Sequence, residues 1–250
     1  MLPAWTSSTS CAEDLDPMTL YDRLADSVRH LYARGIATPA LLDTPTFFPG
    51  ATALQSRWLD LRREAEAIGE HLLEVPRFHE LLPNQASIAA ADDRDWRMYV
   101  LKAYGIPIAS HLRRCPVLAQ LLAEDPSILS AAFSFLAPGK HIPEHRGPFR
   151  GIIRFHLGLS VAVDDHGRPG AILRIDGVDH RLADGDMLLW DDTFPHEVWN
   201  RTSHLRVALL LDVRRGHLPA SLHLLTSVLV TAIASGFRWQ MATGKPLTIG

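Results

Sequence analysis

His145 and His196 bound a run of short apolar segments, and Arg206 stands ten residues beyond the second, inside LRVALLLDV. Neutral imidazole nitrogen is a ligand that suits iron, zinc or copper, and ligands far apart in sequence mark a preformed pocket. A guanidinium inside an apolar strand is costly to bury without a partner. A carboxylate is its natural partner, because the planar fork holds both oxygens at once. The three residues together predict a metal and an anionic cosubstrate in one barrel.

The segment between the histidines carries more of the same chemistry. In IIRFHLGLSV, Ile153, Phe155, Leu157, Leu159 and Val161 alternate onto one face of a strand, and Ile152, Arg154, His156, Gly158 and Ser160 onto the other. An ordinary surface strand would turn that polar face to water. An Arg and a His two residues apart, beside small Gly158 and Ser160, fit the interior of a ligand-holding barrel better. Asp191 and Asp192 precede His196 and are either turn formers or, for Asp192, a group that orients a metal-bound water. His141, Glu144 and His145 spell HIPEH, the H-x-x-E-H pattern of inverted zinc proteases. That pattern needs a helix, and Pro143 inside it with Pro138-Gly139 and Gly147-Pro148 around it exclude one. His141 is then a loop residue, and Glu144 points away from His145. His30, His71, His79, His111, His180, His204, His217 and His223 have no matching partners and read as surface or capping residues.

The elements that must position these groups divide the chain near residue 128. Before it, helical periodicity runs over 19–35, with Leu20, Leu24, Val28 and Leu31/Tyr32 on one face, over 53–75, and over 115–127. DRDWRMYVLKAYGIP (93–107) breaks that pattern and reads as strand plus loop. From 129 to 213 the period becomes two, and turn signals such as PGKH, DDHGRPG and ADGD recur at short spacing. This predicts an α+β protein with a mainly β core, a double-stranded β-helix (jelly-roll) barrel with N-terminal helices and a C-terminal helix. The expected divisions are a helical region at 1–128, the barrel at 129–214, and a C-terminal helix and tail at 215–250, integrated as one domain.

Composition sets the frame. The chain has 250 residues, 47% hydrophobic, enough for one good core. A net charge of −3 supplies no field for nucleic acid or an anionic membrane. The two cysteines, Cys11 and Cys115, lack metal spacing and predict a reduced, cytoplasmic protein without a disulfide. MLPAWTSSTSCAEDLD has no basic n-region or apolar core of a secretory signal. LPASLHLLTSVLVTAIASGF (218–237) is apolar but interrupted by His223, with a continuous stretch shorter than the roughly 20 residues that span a bilayer. It is expected to pack as a C-terminal helix, with peripheral membrane or acyl-chain contact as the alternative.

HRG at 145–147, RFHLGL at 154–159, WDDTFPHEVWN at 190–200 and RVALLLDV at 206–213 resemble the aspartyl/asparaginyl β-hydroxylase family, with weaker echoes back to about residue 90. The resemblance implies a double-stranded β-helix oxygenase that uses iron(II), 2-oxoglutarate and O2. It hydroxylates an unactivated C–H, with succinate and CO2 released. It further implies His145 and His196 as the iron ligands, and Arg206 helped by Ser134 on the distal carboxylate of 2-oxoglutarate. His156 and Arg154 fall at its proximal end or at the substrate, Trp96 at the cosubstrate pocket, and Asp192 on a metal-bound water. Gly147 stands where the usual two-histidine, one-carboxylate triad has its acid, which leaves a coordination position for water or a halide. A halogenase and a non-catalytic metal- or carboxylate-binding barrel are therefore the alternatives to a hydroxylase. The family's substrates extend over small molecules, peptides and lipid acyl chains.

Overall fold

The chain's structure, a computed structural model, describes residues 17–82, 86–89 and 94–243. The expectations for Cys11, the first sixteen residues and the Leu20 side chain lie outside the described residues. The N-terminal helices are α1 (Pro17–Ala33), α2 (Thr44–Phe47), α3 (Ala51–Ser56), α4 (Trp58–Gly69), α5 (Phe78–Leu81) and α6 (Ala86–Ala89). Then follow β1 (Trp96–Ala103), β2 (Ile106–Pro107), α7 (Ala109–Leu112), α8 (Pro116–Glu124), β3 (Ile128–Leu136) and β4 (His141–His145). The remainder is β5 (Ile152–Ser160), β6 (Ala171–Ile175), β7 (Val178–His180), β8 (Met187–Trp190), β9 (His196–Asn200), β10 (Arg206–Arg214) and α9 (Ala220–Thr243).

Two antiparallel sheets face each other as a double-stranded β-helix: six strands in the order β2-β1-β3-β10-β5-β8, and four in the order β4-β9-β6-β7. The barrel therefore begins at Trp96, earlier than residue 129. The segment 96–107 is a hairpin with Tyr104 and Gly105 at positive φ in its turn, and β1 pairs with β3 along nearly its whole length. That long-range pairing has no local sequence signal.

Alternation decides which face of the large sheet sees what. Ile153, Phe155, Leu157 and Leu159 of β5 join Phe133, Phe135, Leu209 and Leu211 in a core covered by α3, α4 and α8. The opposite face, carrying Arg154 and His156, turns inward toward the small sheet, so the polar face of this strand is the barrel interior. Paired residues form rungs across that inner face. Trp96, Leu136 and Arg206 make one; Met98, Ser134, Ala208 and Gly158 the next; Val100, Ala132, Leu210 and His156 a third; and Ser130, Asp212 and Arg154 a fourth.

Three expectations about helices need correction. The helix expected over 53–75 breaks at Arg57 (φ −106°, ψ 14°) and ends at Gly69. Beyond Gly69 a 3-10 turn follows at Leu72–Glu74, and the buried Arg97 guanidinium takes the carbonyls of Val75 (2.6 Å) and Leu73 (3.3 Å). On α1, Leu24 and Leu31 are exposed, and Ala25 and Tyr32 are the buried pair. The C-terminal helix continues to Thr243, and its 24 residues (mean hydropathy 1.6 in the most apolar window) are long and apolar enough to cross a bilayer. One stripe of it, Leu222, Thr226, Val230, Ala234 and Phe237, is nevertheless buried against the rest of the chain.

Phe155 is fully buried and meets Phe48 edge-on at 5.3 Å. Replacing it with Ala should lower unfolding stability in a denaturant titration by about 3–5 kcal/mol. A loss below about 1 kcal/mol would mean that the helices do not close this face of the sheet.

Candidate functional site

His145 ends β4 and His196 begins β9, and the two are register partners with ring centroids 4.0 Å apart. Each imidazole is oriented by the same device. His145 Nδ1 lies 2.8 Å from the Pro143 carbonyl and His196 Nδ1 2.9 Å from the Phe194 carbonyl. A carbonyl only accepts, so both Nδ1 atoms carry the proton and both Nε2 atoms keep a lone pair. Burial holds His145 down at about 4 and His196 well below its ordinary value, with the neighbouring positive charges acting in the same direction. Two neutral, carbonyl-oriented imidazoles fit a first-row divalent metal. Among the described residues, no three of His, Cys, Asp and Glu gather as a metal-binding group.

Asp192 occupies the space beside Gly147. A Cβ at position 147 would lie 2.2 Å from Asp192 Oδ1, and the Gly147 N–H donates to the Asp192 carbonyl at 2.7 Å. The place where residue 147 would carry an acid is filled by a carboxyl from the loop before β9. Its Oδ1 is buried without a partner, and its Oδ2 accepts from Arg154 Nη2 at 3.2 Å. Burial pushes Asp192 up to about 7, against the pull of Arg154. Arg154 also meets Asp212, Nε to Oδ1 at 2.8 Å, a close charge contact without hydrogen-bond alignment. With two carboxylates already against it, Arg154 is better placed to hold Asp192 than to take a third anion.

Arg206 is the opposite case. It is buried, its Nε has no partner, and its guanidinium closes on His156 Nε2. Small Ala208 and Gly158, one rung along, leave the room for that reach. Burial lowers Arg206 to about 10, and burial followed by the charge of Arg206 keeps His156 neutral. A buried cation that meets an imidazole and no acid fits an anionic ligand. Ser134 lies one rung from Arg206 and accepts from Trp96 Nε1 at 3.0 Å; Trp96 itself stacks on Phe78 at 3.8 Å.

The structure sorts the eight expected residues into two groups. His145, His196, Asp192, Arg154 and Trp96 line one cavity of about 510 Å³, while Arg206, His156 and Ser134 lie on the same sheet face outside its wall. His141 is not a loop residue: it begins β4, stacks on Trp199 at 4.8 Å and meets Glu197 at 3.1 Å. The HIPEH segment is a strand and not a helix, in keeping with Pro143 inside it, and Glu144 is exposed.

Two features escaped the sequence reading. Asp212 shares the inner face with Arg206, and the same period-two count along β10 would have found it. Asp191 is a turn former, accepting from the Thr193 amide at 3.1 Å, but it also receives Arg150 Nε at 2.7 Å and Arg215 Nη2. Nothing in the spacing of 150, 191 and 215 announces that cluster.

The family described as Aspartyl/Asparaginyl beta-hydroxylase matches residues 55–216, more than half of the chain. Among relatives, the ornithine lipid ester-linked acyl 2-hydroxylase of Rhizobium tropici is 31% identical over 188 residues, 75% of this chain and 64% of that protein. The human aspartyl/asparaginyl beta-hydroxylase is 25% identical over 166 residues, 64% of this chain and 20% of that protein. The human aspartate beta-hydroxylase domain-containing protein 2 is 29% identical over 141 residues, 53% of this chain and 37% of that protein. The chain thus spans less than two thirds of the length of each of these relatives.

Gly147→Ala should cost about 1–3 kcal/mol of stability through overpacking against the Asp192 carboxyl. In an Asp192→Ala background the same substitution should cost almost nothing. Equal costs in both backgrounds, measured by denaturant unfolding, would separate the two residues.

Proposed function

Because this chain belongs to the aspartyl/asparaginyl β-hydroxylase family, we propose that it hydroxylates the acyl chain of a lipid in an iron(II)- and 2-oxoglutarate-dependent reaction. The observation that carries this reading is the shape and lining of the cavity. One end holds His145, His196, Asp192 and Arg154, and the remainder is walled mostly by apolar side chains such as Met98, Val100, Ile152 and Leu210, with Ser130, Lys102 and Asp212 among them. An amino-acid or peptide substrate would need polar groups along its length, and this wall supplies few. An alkyl chain needs only apolar surface. The name of the Rhizobium relative, an acyl 2-hydroxylase, points the same way.

The residues divide the work. His145 and His196 would hold the metal through Nε2, each ring fixed by its Nδ1–carbonyl hydrogen bond. Arg206, with Ser134 and His156 near it, would take a carboxylate of 2-oxoglutarate and hold it in one orientation. Asp192, held by Arg154 and free at Oδ1, would hydrogen-bond a water beside the histidines. The apolar wall positions the chain's C–H and keeps bulk water away. When bound, iron(II) with 2-oxoglutarate and O2 supplies the oxidising equivalent that converts C–H to C–OH, with succinate and CO2 released.

Protein loaded anaerobically with iron(II) should turn 2-oxoglutarate over to succinate, and long-chain acyl lipids should stimulate this about tenfold or more over free amino acids. Arg206→Ala should raise the KM for 2-oxoglutarate at least about thirtyfold, the loss expected when a buried charge partner is removed. His145→Ala and His196→Ala should lose bound iron, and His180→Ala should keep both iron and turnover. Stimulation by peptides alone would remove the acyl-chain reading; halogenated product in saturating chloride would make the enzyme a halogenase. Absence of all 2-oxoglutarate turnover would leave a non-catalytic barrel.

A further inference from the structure

Two walls of the cavity belong to helices outside the barrel: Leu24 and Val28 of α1, and Leu229, Ile233 and Phe237 of α9. The two helices are joined by a buried hydrogen bond of 2.7 Å between the hydroxyls of Tyr32 and Thr226. The cavity reaches the surface along this seam, since Leu24 (60% exposed) and the exposed Gly236 both line it.

The outward sides of the two helices carry exposed apolar side chains. On α9, Leu224 and Val228 are 66% and 56% exposed one turn apart; Ala232 and then Trp239 (57% exposed) continue the stripe. On α1, exposed Leu31 lies two turns beyond Leu24, beside exposed Arg34. Residues 220–243 contain no Asp or Glu, and Arg238 is the one Lys or Arg among them. On α9, large exposed apolar side chains, a tryptophan and a single arginine without acids fit a helix that lies in a lipid–water interface.

We propose that the α1–α9 face is a membrane-docking surface, which seats the mouth of the cavity on a lipid bilayer. The opposite stripe of α9 is buried and tied to α1 through Thr226, so the helix lies along the membrane and does not cross it. A second copy of the chain on this face would close the seam, whereas a bilayer leaves it open toward lipid. Passage of an acyl chain from bilayer to cavity rests on the acyl-hydroxylase reading above; the docking itself does not.

Vesicle flotation of the whole chain tests this, with vesicles of phosphatidylcholine and of phosphatidylcholine with phosphatidylglycerol. The protein should float with both, and should stay bound in high salt because the contact is mainly apolar. Leu224→Glu with Val228→Glu should lower the floating fraction about tenfold while leaving the circular-dichroism spectrum and melting temperature unchanged. The proposal falls if the unmodified chain does not float, or if the double variant floats equally well. It also falls if the chain is a dimer in solution that the double variant splits to monomers. A protein that floats but shows no acyl-stimulated 2-oxoglutarate turnover would keep the docking surface and overturn the acyl-chain reading instead.

Discussion

The site depends on one buried carboxylate that does not line the cavity. Asp191 is fully buried and sits between two guanidinium groups, Arg150 and Arg215. Arg150 continues to the carbonyls of Ile36 and Thr38, and Arg215 to the Arg150 carbonyl and the Thr38 hydroxyl. One acid thus joins the segment after α1, the loop entering β5, the end of β10 and the turn that carries Asp192 toward His196. Two cations on one anion leave a buried positive charge, and those carbonyl acceptors offset it. Such a cluster is an uncertain source of net stability but a strong constraint on geometry, because losing any member strands a buried charge.

With that turn fixed, the histidine end of the cavity follows. Asp192 is delivered against Gly147, and the absence of a Cβ there is what admits its carboxyl. The two histidines arrive as neighbours across β4 and β9 with their Nδ1 protons already committed to backbone carbonyls. Further along the sheet, Arg206 meets no acid among the described residues. The large sheet therefore does two jobs with its two faces: the apolar one packs under helices, and the polar one lines the barrel.

Much of this was legible in the sequence because it is local. Period two along 152–161 separated the helix-covered face from the pocket face, and Pro143 excluded the helix that a protease motif needs. The resemblance placed the site on eight residues, of which five line the cavity while Arg206, His156 and Ser134 lie outside its wall. What escaped is carried by distant contacts. The break at Arg57 has no proline or glycine to announce it, and the Arg97 guanidinium takes carbonyls more than twenty residues away in sequence. The pairing of β1 with β3 and the Arg150–Asp191–Arg215 cluster likewise exist only once the chain is folded. Asp212 is different, since period-two alternation counted from Arg206 along β10 reaches it three steps later.

The central claim is a metal held by two histidines without a third protein ligand, beside an anion held by a buried arginine. A crystal structure with manganese(II), a redox-inert substitute for iron(II), and 2-oxoglutarate tests it most directly. The account predicts His145 Nε2 and His196 Nε2 as the protein ligands, Asp192 reached only through water, and the far carboxylate on Arg206. Direct coordination by Asp192 or His141, or a 2-oxoglutarate bound away from Arg206, would contradict it.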